Sequence, residues 1–429
     1  MNKPRSLRLF LVAAGTILIN GTLLSQSSIS SPYSHYGIGD IHNLSNTRGK
    51  TMGGISYASR GSYNLSPKNP ASYTSIDTLT FVFEAGIASN FVTLKTSGLT
   101  EQASSAHPSH LFFGFPVTRW LKIGFGAAPF SAVGYKILDE VTDPLMGKIH
   151  YYYEGDGGLN QYFLGSGISL GNRISLGFNL IYMAGRLERS RMLHFPDSTA
   201  VLNTRVRSTI HISDISFNAG IQYHTPLGKD KSLTLGLAAS NGNSLNATGE
   251  QLTETLFGGI NGGYEIFSDT IEYLSGIEGD LRLPLTIGGG FLYEKTDHIS
   301  AGADISYGFW NNYRLMGQND SLQNSLNIHT GAEFIPNNSS VSKYWKKIRY
   351  RGGISYSKTY LELNKKQIND LGFAIGFGLP LRRQAATLNF GAEFGSRGTT
   401  QSNLIQENYL RFFFGISITE RWFIKRKYN

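Results

Sequence analysis

Apolar and polar positions alternate with a period of two along most of the chain, the mark of half-buried strands rather than helices. In "LGFAIGFGL", Leu371, Phe373, Ile375, Phe377 and Leu379 fall on one side, and Gly372, Ala374, Gly376 and Gly378 on the other. "TLNFGAEFG" sets Leu388, Phe390, Ala392 and Phe394 against Asn389, Gly391 and Glu393. "LRFFFGISI" sets Leu410, Phe412, Phe414, Ile416 and Ile418 against Arg411, Phe413, Gly415 and Ser417. Turn residues between such stretches delimit about fourteen strands. They are predicted over 78–96, 108–117, 120–136, 148–170, 174–191, 204–224 and 232–245. The rest follow over 279–293, 298–314, 325–335, 348–363, 370–381, 386–396 and 407–419.

The connections sort by length. The second, fourth, sixth, eighth and twelfth are tight ("TR", "GNR", "TPLGKDK", "EKTD", "LRRQA"). The first, third, fifth, seventh, ninth and thirteenth are mostly longer, the seventh covering 246–278, and only the tenth, "PNNSSVSKYWKK", breaks the pattern. An even strand count with short turns at one end is the plan of an outer-membrane barrel, whose short turns face the periplasm. In hydrocarbon every backbone donor and acceptor needs a partner, so strands that cross must close on themselves. The expected fold is therefore all-β, a transmembrane antiparallel β-barrel of about fourteen strands over 78–420.

The first residues read as a leader: basic "MNKPRSLR", apolar "LFLVAAGTILINGTLL", then small residues, with cleavage expected near Ser25. Loss of Lys3, Arg5 and Arg8 with it lowers the formal charge from +9 to +6. The remaining basic residues are scattered and form no stripe, which excludes nucleic acid as a partner. With no cysteine in the chain, disulfides, thiolate metal sites and thiol nucleophiles are excluded. Segment 26–77 is non-periodic and rich in Gly, Ser and Pro, and is expected to lie periplasmic or inside the barrel; 421–429 is a basic periplasmic tail. The glycine-lined inner face of the later strands suits close approach of another backbone or relief of strand curvature.

At "SHYGIGD…RGKTMGGISYA…SPKNPASYT" the sequence resembles the N-terminal hatch of FadL-like long-chain fatty-acid transporters. The resemblance implies a plug bearing Arg48, Gly49, Gly53 and Gly54 and an Asn69-Pro70-Ala71 signature before the first wall strand. "APFSAVGYK" resembles the segment where that family kinks its third strand inward. Pro129 cannot donate to a ladder, so it marks there either a simple bulge or a lateral gap at Pro129, Phe130, Ser131, Gly134 and Tyr135. Ser131 stands where many members have glycine. "GDGGLNQYFLGSGISLGNRISLGFNLIYMAG" and "LRLPLTIGGGFLYEKTDHISAGADISYGFW" resemble two further family hairpins. The hatch style and the ending "ENYLRFFFGISITERWFIKRK" resemble accessory barrels of the type IX secretion system.

Candidate chemistry is sparse. His107 and His110, three apart on a strand, are expected on opposite faces at a solvated loop end, which gives no metal site. Gly155-Asp156-Gly157-Gly158 reads as a loop-to-strand turn rather than a phosphate loop. No nucleophile–base–orienter set is readable, so neither catalysis nor a cofactor is expected. Arg186, Arg189, Arg191, Arg205 and Arg207 flank the fifth connection and suit a rim facing lipopolysaccharide phosphates, or a carboxylate on its way in. Ile181, Met183 and Leu187 are apolar at inward positions, at odds with a water-filled porin and suited to an apolar ligand. The resulting expectation is a monomeric barrel in the outer membrane of a Gram-negative bacterium, moving a hydrophobic small molecule through a plugged lumen. Its rivals are a plug or adaptor for a large secretion-pore barrel and, less favoured, a general porin.

Overall fold

A computed structural model describes residues 31–197, 201–258, 265–339, 343–381 and 386–421. The leader and its cleavage site, and all but the first residue of the basic tail, lie outside them. A two-residue strand, β1 (Asp40–Ile41), precedes β2 (Thr80–Lys95), β3 (Thr100–Pro116), β4 (Leu121–Asp143), β5 (Gly147–Leu170) and β6 (Ile174–His194). Then come β7 (Asn203–Pro226), β8 (Lys231–Ser240), β9 (Ser244–Phe257), β10 (Ile266–Arg282), β11 (Thr286–Lys295) and β12 (Ile299–Gly308). Short β13 (Arg314–Leu315) is followed by β14 (Ser325–Phe334), β15 (Arg349–Leu363), β16 (Lys366–Pro380), β17 (Ala386–Gly398) and β18 (Gln406–Arg421).

Neighbours in the wall pair antiparallel, and β18 returns to β2 from Gln406 opposite Lys95 to Arg421 opposite Thr80, closing the sheet. β8 and β9 pair with the lower and upper halves of β7, and β11 and β10 continue beside them, so each couple forms one wall strand. The wall is thus a closed antiparallel barrel of fourteen strands. Each predicted strand overlaps one of them.

The alternation has the anticipated cause. Phe373, Ile375 and Phe377 are 39%, 52% and 46% exposed on the outside, while Gly372, Ala374, Gly376 and Gly378 are buried inside. With Phe390, Phe394, Leu410, Phe412 and Phe414 beside them, the exposed rings form a belt far larger than soluble monomers tolerate. Hydrocarbon is the solvent that suits it. No described helix is long and apolar enough to cross a membrane.

Two expectations fail. At the second end the fifth, ninth and thirteenth connections are longer, as expected, but the first and third are short: β2 ends at Lys95 and β3 starts at Thr100, and β4 pairs with β5 up to Asp143–Gly147. There the asymmetry lies in strands that overhang the barrel. The seventh connection, expected as a loop over 246–278, is largely the paired hairpin β9–β10. Stretches such as "IFSDTIEYL" carry the β-branched and aromatic residues that pair rather than loop.

Candidate functional site

Residues 31–77 pack inside this wall, touching inward positions on opposite sides of it. The helix Thr47–Thr51 starts at Asn46, whose side chain accepts from Gly49 N at 2.9 Å. The Asn46 amide donates to Glu84 of β2 at 3.1 Å, and Glu84 also accepts from Leu65 N at 2.9 Å and Ser417 Oγ at 3.0 Å. Arg48, fully enclosed, donates from Nη2 and Nε to the Glu333 carboxylate at 3.1 and 3.3 Å. Arg351 closes the same carboxylate from the wall at 2.6 Å and holds Asn389 at 2.8 Å. A buried charge is tolerated only when paired and hydrogen-bonded, which this set achieves.

The signature residues have a readable task. Asn69 Oδ1 accepts from Ala71 N at 3.2 Å, capping the 3-10 turn Pro70–Ser75, whose first position tolerates proline because its N–H needs no partner there. The Asn69 amide donates to Tyr57 O at 2.7 Å and reaches Ile221 O of β7 and Leu237 O of β8 at 3.3 and 3.4 Å. Asn69 therefore fastens the inner segment to itself and to two wall strands. Gly53 and Gly54, at φ of +69° and +97°, make a turn that side chains resist, and Gly53 O meets His329 Nδ1 at 2.6 Å. The glycine-lined lumen is close approach: a Cβ at Gly376 would lie 2.5 Å from Thr51, and one at Gly415 would lie 2.9 Å from Thr47 Cβ.

The wall is not continuous. β3 and β4 pair only from Leu111–Ala127 to Pro116–Lys122, although both run well beyond. Past that point β4 carries a bulge at Phe130, between Pro129 and Ser131 in its register with β5. Pro129 sits where β4 has parted from β3, so its missing donor leaves no ladder bond unmade. The freed edge of β4 pairs with the inner segment instead: Asp40 lies opposite Ala132, and Ile41 opposite Ser131. His42 N donates to Phe130 O and Ser31 N to Gly134 O, both at 2.9 Å; Gly134 N donates to Ser34 Oγ at 3.0 Å. Tyr135 packs edge-on to His35. The five residues named for a gap therefore converge on residues 31–42, which fill the seam. Arg397 latches that stretch through Asp40 at 2.7 Å, with Glu407 at 3.8 Å.

The seam corrects the reading of the histidines. A bulge in β3 near Ser109 adds a residue, so His107 pairs with inward Ala88 and His110 with inward Gly86. His110 is buried rather than solvated, and His107 faces the His42 ring at 5.0 Å. Lys50 of the inner segment donates to Ser109. Burial pushes its ammonium down to about 8, against the opposing pull of Glu393. Among the described residues no cluster suits a metal ion. Gly155–Gly158 lie within β5 opposite the bulged part of β4 rather than in a turn.

Ile181, Met183 and Leu187 face inward and are buried in one apolar cluster with Tyr33, Ile38, Val133 and Tyr135. The rim arginines do not form one group. Arg189 turns inward to Gly37 O, and Arg205 is held by Glu254 at 2.6 Å and Glu265 at 2.8 Å. Arg207 lies 3.7 Å from Glu188, Arg186 lies 3.8 Å from the same residue, and Arg191 is exposed. A vestibule of about 480 Å³ opens at the short-turn end, lined by Arg60, Asp77, Arg119, Lys122, His224 and Glu294. It is charged where the lumen is oily.

The barrel superposes on the crystal structure of a Pseudomonas aeruginosa FadL homologue with a TM-score of 0.58 at 12% identity, over 90% of this chain and 100% of that one. The Pseudomonas putida toluene transporter TodX gives 0.56 at 13% identity, over 90% and 100%. The CymD monoaromatic hydrocarbon channel gives 0.54 at 11%, over 89% and 99%. At such identities the likeness is one of fold. No curated protein matches the sequence. A family model described as BamG matches residues 7–429. Neither result carries the likeness to secretion accessory barrels.

Proposed function

The chain belongs to the BamG family, and we propose that its barrel passes a hydrophobic small molecule across the outer membrane through the β3–β4 seam. The carrying observation is that seam: two wall strands part, and a two-residue strand of the inner segment, rather than β3, pairs with the freed edge of β4. The matched structures described as a toluene transporter and a monoaromatic hydrocarbon channel handle apolar cargo, and the proposal extends that class to this chain. Cargo from outside meets the apolar cluster around Ile181, Met183 and Leu187, which a water-filled porin has no use for. The charged vestibule below disfavours it, so it leaves sideways into lipid once residues 31–42 shift. Arg48 and Asn69 keep the remainder of the hatch seated meanwhile. The exposed Arg191 and Arg186 face lipopolysaccharide, and the barrel works as a monomer without chemistry on its cargo.

Replacing Pro129 and Ser131 together by valine restores a donor and two β-formers where the strand bends. The expected result is a barrel that still migrates heat-modifiably on gels while uptake of an apolar fluorescent probe falls to background. A folded double variant with wild-type uptake overturns the seam route.

A further inference from the structure

The β9–β10 hairpin stands clear of the barrel, and the far edge of β10 has almost no neighbour. β10 pairs with β9 along its length, but among the described residues the one strand it pairs with on its other side is β13, at Leu281 and Arg282. Among the described residues that edge is open from Ile266 to Glu278, roughly 40 Å of strand at about 3.3 Å per residue, and closes at Asp280, whose carbonyl accepts from Met316 N at 2.8 Å. Side chains are exposed on both faces as well. Ile266, Phe267, Ile271 and Tyr273 are 57–61% exposed, and Leu274 and Ile277 are 43% and 39% exposed.

Lipid does not account for these residues. The rows across the sheet at this height are polar: Glu278 lies level with Thr248, His211 and Arg186, and Thr270 with Glu254 and Arg205. This part of the hairpin is therefore above the apolar belt, in water. An open strand edge flanked by large apolar side chains is a template for another strand.

The charge on the edge narrows the occupant. Asp269, Glu272, Glu278 and Asp280 are the only charged residues from Ile266 to Asp280, and none of the four makes an ion pair among the described residues. A second copy pairing edge to edge would set acid against acid, and lipopolysaccharide phosphates would be repelled. Asp269 and Glu272 lie level with Thr255 and Thr253, and Glu278 and Asp280 with Thr248 and Asn246 on the opposite face. We propose that the β10 edge takes up an extended segment of another protein, added as a strand, with basic side chains on both of its faces. Main-chain hydrogen bonds would supply affinity and the four carboxylates selectivity.

Charges and the register shifts after Phe267, Thr270 and Leu274 also guard edges against indiscriminate pairing, and the experiment separates guarding from docking. The full-length protein in nanodiscs is titrated with a labelled peptide of repeated Lys-Lys-Val-Val, which shows lysine on both faces of a strand. Its counterparts carry glutamate for lysine, or are N-methylated along their length. Saturable binding of the lysine peptide is expected, weakened at least about tenfold by N-methylation and by the variant D269N/E272Q/E278Q/D280N, with the glutamate peptide silent. The N-methylation arm uses the wild-type chain and stands even if the variant misfolds. Absence of lysine-peptide binding, equal binding of the glutamate peptide, insensitivity to N-methylation, or self-association of the protein through this edge each overturns the proposal.

Discussion

Gly376→Val puts a side chain where the wall and the inner segment already touch. A Cβ there would lie 2.5 Å from both Cβ and Cγ2 of Thr51 and 2.8 Å from Phe390 O. Unstrained carbon contacts fall at about 3.5–4.0 Å, so a shift of roughly 1 Å is needed. β16 is held by β15 on one side and β17 on the other, so the inner segment must yield. Overpacking of this kind costs about 1–3 kcal/mol, which speeds amide exchange through local opening of the helix Thr47–Thr51 about 5- to 150-fold. Thr51→Gly, which removes the opposing Cβ, costs about 1 kcal/mol alone. Combined, the two should recover most of the loss, with a coupling of about 1–2 kcal/mol. Hydrogen exchange of peptides spanning 45–56, on protein whose heat-modifiable migration confirms an intact barrel, reads all three variants. Unchanged exchange in Gly376→Val, or costs additive within about 0.5 kcal/mol, refutes the claim that this segment bears on the wall.

Three further outcomes follow from the same geometry. Because burial lowers Lys50 to about 8 from an unfolded value near 10.4, the released segment binds more protons than the seated one between those pH values. Seating should therefore tighten as pH rises from 8 to 10; Lys50→Met should flatten the profile, and a flat wild-type profile contradicts the reading. Asn69→Ala loses a cap and the two amide donors shared among Tyr57 O, Ile221 O and Leu237 O, about 2–3 kcal/mol of seating, and should raise baseline conductance in planar bilayers. Conductance equal to wild type removes Asn69 from its anchoring role. External protease on intact cells should cut in the β9–β10 hairpin and spare the turn at Asn172, the reverse order inverting the barrel's orientation.

Parity along the strands was legible because a sheet reads its side chains by twos: Leu371 to Leu379 point outward as the alternation says, with the glycines inside. The inner segment was legible as non-periodic sequence ahead of the first strand, but the cap that Asn69 supplies to the turn Pro70–Ser75 was not. The histidines misled because one bulge near Ser109 reverses parity, and no residue type marks it. The overhanging hairpins were hidden because a loop and a paired extension differ by partners far away in sequence. Pro129 signalled a break in the ladder. That Asp40 and Ile41 fill it, some ninety residues upstream, is a long-range contact that no local pattern reveals. The arginine cluster dissolved for the same reason: its glutamate partners come from β6, from β9 and from just ahead of β10.

The most direct measurement locks the seam shut. Ile41 and Ser131 are directly opposed in an antiparallel pair, where Cα atoms lie about 4.5–5.5 Å apart, within reach of a disulfide. The chain has no cysteine of its own, so Ile41→Cys with Ser131→Cys can form one bond only within each chain. Uptake of an apolar fluorescent probe is followed in cells carrying this variant, oxidised and then reduced with dithiothreitol. Uptake at background when the bond is quantitatively formed, returning to the wild-type rate on reduction, is the predicted result. A fully oxidised variant that transports as fast as the reduced one contradicts passage through the β3–β4 seam.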